Sequence, residues 1–167
     1  MESNTLNVSN KIYRKILSGL GIKFKYYDPN PYTDKLGTND CAVRALSKFM
    51  NVSWKEAYDR LYKTAVDKTG QMVNAVGNIS TCLDENECKY KRYRAPNTIL
   101  LDWLSENTDK ECMLCNKDHI VYVKNGTIYD RRHSMDAKEQ RTTWRTWQGV
   151  FRHLTTPGPV QIFVKEK

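Results

Sequence analysis

Three residues of this sequence are of the types that acyl-transfer chemistry needs: the thiol of Cys41, the imidazole of His119 and the carboxylate of Asp130. Cys41 lies in "KLGTNDCAVRALSKFM" (35–50), where a polar loop runs into an apolar pattern with Ala42, Ala45, Leu46 and Phe49 at helical spacing. The spacing predicts a helix that Cys41 opens. The first turn of a helix has N–H groups without intrahelical partners and a partial positive charge, and both stabilise a thiolate. The same N–H groups, with the amide of Cys41, can hold a developing oxyanion. The competing reading is a small core residue, because free cysteine is among the most buried residue types.

Asn125-Gly126 in "KNGT" (124–127) is the strongest short hairpin signal in the chain. A two-residue turn there pairs Lys124 with Thr127, Val123 with Ile128, Tyr122 with Tyr129, and Val121 with Asp130. His119, Val121 and Val123 then share a face with Ile128, Asp130 and Arg132. Asp130 becomes a diagonal neighbour of His119, and such neighbours lie about 7–8 Å apart at the backbone, within reach of an imidazole and a carboxylate. A slip of one residue would separate them. In this constellation the imidazole takes the thiol proton, and the carboxylate fixes the imidazole's tautomer.

"TNDCAVRAL" followed by "DHIVYVKNGTIYD" resembles the papain-like cysteine peptidases in its chain order of Cys, His, Asp. It is most similar to small papain-fold proteins of bacteria and their phages. The resemblance covers roughly residues 37–50 and 118–130. It implies an α+β papain-like domain spanning 1–167, with a central Cys-bearing helix packed on a C-terminal antiparallel sheet. It also implies a thiol hydrolase, peptidase or isopeptidase, acting on a protein substrate or host protein. Cys41 would be the nucleophile, His119 the general base and acid, and Asp130 the orienting residue, with no metal or organic cofactor. The family usually has a Gln a few residues before the Cys. Here Asn39 is the nearest amide for the oxyanion, with Thr38 a weaker choice. An acyl transferase fits the same residues, and a papain fold that binds a partner without turnover is the alternative.

Other residues invite sharper readings than they support. His133 and His153 lie among arginines, which disfavour protonation. Asp118 falls on the opposite face of its strand from Asp130. Arg44, one turn past Cys41, is expected to pair with a buried carboxylate. "CMLC" (112–115) lies inside a strand-like run rather than at a helix start, against a redox motif. Zinc would need Cys82, Cys88, Cys112 and Cys115 together, with an unusual spacing; two partly buried strand cysteines are the plainer account. "KYKRYRAP" (89–96) interleaves cations and tyrosines, either a nucleic-acid contact or an edge strand protected by charge. Trp144 and Trp147 belong to one helix face or to an aromatic groove.

These residues need a scaffold, and the remaining pattern outlines one. Helices are predicted at 8–20 (capped by Ser9 or Asn10; stripe Ile12, Ile16, Leu17, Leu20), after Cys41, at 51–66, and at 96–107. In the third, Ser53 and Glu56 form a capping box and the stripe is Trp54, Ala57, Tyr58, Leu61 and Tyr62. Residues 67–80 read as a loop with a short helical piece, and 142–154 are ambiguous. Strands are predicted at 22–28, 111–116, 119–125, 127–132 and 158–166. With 167 residues, 40% hydrophobic and 28% charged, the composition is that of one soluble domain. No apolar run approaches about 18 residues, so no membrane-spanning helix is expected. The first residues lack an apolar signal core, the pattern of a cytoplasmic protein. Five cysteines without such a signal argue against a disulfide scaffold. The net charge of +8 favours acidic partners or a generally basic surface.

Overall fold

Asn125 and Gly126 take positive φ angles of 49° and 72°, as the two-residue turn requires. A Cβ on Gly126 would stand 2.5 Å from the carbonyl oxygen of Gly21, so glycine is demanded by space as well as by conformation. The turn joins two strands in the predicted register: Tyr122 opposite Tyr129, Val123 opposite Ile128, Lys124 opposite Thr127. The computed structural model that shows this describes residues 12–32, 40–117, 119–131 and 147–167.

In chain order the elements are α1 (12–19), β1 (Lys23–Tyr26), α2 (Cys41–Met50), α3 (Trp54–Thr64), a π-helical turn (Ala65–Thr69), α4 (Val76–Glu85), β2 (Tyr90–Thr98), α5 (Leu100–Glu106), β3 (Glu111–Cys115), β4 (Ile120–Lys124), β5 (Thr127–Asp130), α6 (Trp147–Thr155) and β6 (Gly158–Lys165). The class is α+β. The six strands form one sheet in the order β1-β5-β4-β3-β6-β2. It is mixed, because β1 runs parallel to β5 while the other pairs are antiparallel. β3, β4 and β5 form the expected run of consecutive antiparallel strands, and the sheet extends beyond it: β1 and β2 form the two edges, and β6 inserts between β2 and β3.

Both faces of the sheet are covered. Met113, Cys115, Ile120, Tyr122 and Phe163 pack on one side against residues of α2, α3 and α4, including Leu46, Phe49, Leu61, Ile79 and Leu83. Cys112, Leu114, Val121, Val123, Ile128 and Ile162 pack on the other against Leu17 of α1, Leu100 and Leu104 of α5, and Leu154 of α6. A strand buried on both faces reads as an unbroken apolar run, which explains "CMLC" and "IVYV". Residues of strands alternate in direction. Cys112 and Cys115 consequently point to opposite faces, so "CMLC" is not a dithiol, and these two cannot join Cys82 and Cys88 around one ion.

Two stripes and two helix extents differ from the prediction. On α1, Leu17 is buried and Tyr13, one turn earlier, is partly buried, whereas Ile12, Ile16 and Leu20 are exposed. Ile12 and Ile16 are aligned with each other, not with Leu17. The caps proposed for this helix lie outside the described residues. On α3, Ser53 Oγ accepts from the Glu56 N–H at 3.1 Å, and Trp54, Ala57 and Leu61 are buried. Tyr58 and Tyr62 instead stack outward from Trp54, with ring centroids 5.2 and 6.3 Å apart. Residues 76–85 form a full helix, α4, with Ile79, Cys82 and Leu83 buried; Gly77 and Asn78 weaken its helical signal in the sequence. Helix α5 begins at Leu100, later than predicted, because residues up to Thr98 pair with β6.

Candidate active site

α2 places Cys41 at the end of the sheet where β4 begins and β5 ends. Asp40, the residue before it, does not cap the helix with its side chain. Its carboxylate points elsewhere: Oδ1 receives Nη1 of Arg44, and Oδ2 receives Nε1 of Trp54 at 2.8 Å and Nδ2 of Asn30 at 3.0 Å. The first turn of α2 carries no acidic residue after Asp40. The positive end of the helix therefore faces the thiol without a carboxylate within that turn.

His119 precedes β4, and its ring is buried. Nε2 meets Oδ2 of Asp130 at 2.7 Å. The bond runs across the predicted hairpin, from the start of one strand to the end of the next. Cys41 is half-buried, and the same imidazole acts on its thiol. The thiol of Cys41 and the carboxylate of Asp130 thus act on one imidazole. Burial alone raises the pKa of Cys41. The His119 hydrogen bond, the His119 charge, a backbone hydrogen bond from Ile120 and the Arg44 charge together outweigh it, and the thiol lies below its ordinary 9.0.

The other cysteines behave oppositely. Burial pushes Cys112 up to about 12, Cys115 well above 9.0, and Cys82 and Cys88 upward as well. Among the four with a raised thiol, none has a histidine acting on it; Cys41 does.

Asp130 is 2% exposed. Its Oδ1 accepts the Arg131 N–H at 2.7 Å and faces Nη2 of Arg44 at 3.4 Å. The carboxylate expected for Arg44 is thus a pair, Asp40 and Asp130, one on each side of the guanidinium. Sequence reasoning could not supply this, because 86 residues separate Arg44 from Asp130.

Two further residues were missed. Asn116 directly follows β3; its Oδ1 accepts the His119 N–H at 2.9 Å, its own N–H donates to the His119 carbonyl at 3.0 Å, and its Nδ2 donates to the His153 carbonyl at 3.3 Å. It clamps the short connection that presents His119, and a polar residue closing an apolar strand is the signal that could have found it. His153, set aside because of neighbouring arginines, is 4% exposed, and its ring lies 5.1 Å from that of His119 at 81°. Folding α6 against the sheet end brings the two rings together. Asn39 and Thr38, the oxyanion candidates, lie outside the described residues, as do Asp118, His133 and Trp144.

Among the described residues, no group of three or more His, Cys, Asp and Glu side chains is placed to hold a metal ion, and no helix is long and apolar enough to cross a membrane. Compared with known proteins, the chain matches no family model, no curated sequence and no solved structure.

Proposed function

We propose that this chain is a papain-like thiol hydrolase, a peptidase or isopeptidase acting on a protein substrate. The observation that carries the reading is the grouping of Cys41, His119 and Asp130, with the thiol at a helix N-terminus and its pKa lowered by His119. The Cys41 thiolate attacks the substrate carbonyl carbon. A C–S bond forms, and the carbonyl π electrons move to oxygen. The His119 imidazolium gives its proton to the leaving amine as the C–N bond breaks, leaving a thioester on Cys41. Water then gives a proton to His119 and attacks the thioester, and the C–S bond breaks to release the acid. If an amine takes the place of water, the same intermediate gives acyl transfer. Asp130 fixes the ring's tautomer. Asn39 and the Cys41 amide are the donors proposed for the oxyanion.

The test is a peptide-based acyl electrophile, such as an acyloxymethyl ketone, with the adduct located by mass spectrometry. Labelling of Cys41 that is lost in His119→Ala, with turnover of amide or isopeptide substrates lost in Cys41→Ala, supports the reading. Labelling without turnover on any such substrate, with the biological effect retained in Cys41→Ala, would leave a papain-like binding protein instead.

A further inference from the structure

Strand β2 is nine residues long and forms an edge of the sheet. The opposite edge, β1, has four. The Glu166 N–H donates to the Lys89 carbonyl at 3.0 Å. Hydrogen-bonded pairs alternate along an antiparallel ladder. In the observed register, Lys91 with Val164 and Tyr93 with Ile162 are therefore bonded pairs. The N–H and C=O groups of Tyr90, Arg92 and Arg94 turn away from β6, toward a side where no strand lies among the described residues. The ladder shifts between Ala95 and Thr98, and Pro96 has no N–H, so the usable edge ends there.

The side chains along this edge carry one sign. Lys89, Lys91 and Arg94 are exposed, and Arg92 is partly so. No Asp or Glu occurs between Lys89 and Thr98. The Arg92 guanidinium lies 5.4 Å from the centre of the Phe163 ring, and its Nε donates to Gln161 Oε1 at 3.0 Å, so its position is set before anything binds. Two copies brought edge to edge would oppose these cations to each other, which disfavours self-association. An acidic strand would oppose carboxylates to them and take up the outward backbone groups.

We propose that the outer edge of β2 docks an acidic polypeptide segment in extended conformation, which adds to the sheet as a seventh strand. The peptide backbone supplies the register, and its carboxylates select this edge. The inference is independent of the chemistry at Cys41.

The experiment is amide hydrogen exchange by NMR on the full chain, with a decapeptide of alternating valine and glutamate as the probe. Exchange should slow at Tyr90, Arg92 and Arg94 and stay unchanged at Lys91 and Tyr93, which β6 already protects. Affinity should fall with added salt. It should drop roughly tenfold or more in Arg92→Glu/Arg94→Glu, and measurably in Arg94→Glu alone, an exposed change that leaves the Phe163 and Gln161 contacts in place. N-methylation of alternate peptide amides should abolish binding. Equal binding of the N-methylated peptide, or absence of the 90, 92, 94 pattern, overturns the proposal. So does stronger protection of this strand by oligothymidylate, since a polyanion reads the side chains and not the strand edge.

Discussion

Arg44 Nη2 stands 3.4 Å from Asp130 Oδ1, and the other end of the same guanidinium holds Asp40. Arg44 lies one turn into the helix that Cys41 opens, and Asp130 lies on the strand that orients His119. The contact ties the nucleophile's helix to the base's hairpin through a buried ion triad. Removing the cation leaves two buried carboxylates facing each other. Arg44→Met should therefore destabilise the fold by about 3–5 kcal/mol, the usual cost of breaking a buried pair from one side. Denaturant unfolding gives the value. Trp54→Phe is the comparison, because it removes one donor to Asp40 without touching Asp130 and should cost about 1–3 kcal/mol. At temperatures where both variants are folded, Arg44→Met should slow Cys41 alkylation more than Trp54→Phe does. Equal slowing would make Arg44 a structural residue only.

The lowered thiol of Cys41 predicts a pH profile. Iodoacetamide alkylation should reach half its limiting rate below pH 9.0, the ordinary value for this group. His119→Ala should move that midpoint upward, because the two largest lowering causes, a hydrogen bond and a charge, come from His119. Once the midpoint lies above the working pH, each further unit of upward movement is about a tenfold loss of thiolate. The sign for stability follows. Between the native midpoint and 9.0 the unfolded thiol keeps its proton and the native one does not, so stability rises with pH. The thiolate contribution is complete above 9.0 and is lost as pH falls through the native midpoint. The difference in unfolding free energy between wild type and Cys41→Ala should follow that course. A difference that does not change with pH would mean that the thiol titrates normally.

Competition among the five cysteines gives a simpler check. Brief alkylation of the native chain at neutral pH should label Cys41 first. Cys112 and Cys115 should label only after unfolding, since both are buried and both thiols are raised. Peptide mass spectrometry separates the sites. Fast labelling at Cys115 would place the reactive thiol on the wrong element.

Gly126→Ala should be costly for two reasons that add. The φ of 72° disfavours a side chain, and the added carbon meets the Gly21 carbonyl at 2.5 Å. A loss of about 1–3 kcal/mol is expected. Because this turn sets the register that brings His119 to Asp130, alkylation at Cys41 should slow as well. A neutral substitution would show that the turn relaxes freely.

The elements that local chemistry decides were legible in the sequence. Asn125-Gly126 determined a two-residue turn, the turn determined the pairing of Tyr122 with Tyr129, and period-two alternation then placed Asp130 within reach of His119. Ala42, Ala45, Leu46 and Phe49 were readable as a buried face because α2 is covered where its own period predicts. Other features depend on what lies opposite. Tyr58 and Tyr62 are apolar enough to be buried, yet no element among the described residues covers them, and they stack outward from Trp54 instead. Whether Ile16 or Leu17 faces the core depends on how α1 rests on the sheet. The strand order, with β6 between β3 and β2, is a global choice among pairings of similar local energy. The surroundings of the site are of the same kind: Arg44 between two acids, His153 against His119, Asn116 beneath both. Each joins residues far apart in the chain, and an ion pair or ring contact leaves no periodic trace in sequence. The sequence by itself determined the reacting groups and the hairpin that aligns two of them. The tertiary structure decided that Cys41 acts on them, because the packing of α2 against the end of the sheet brings a thiol to that imidazole.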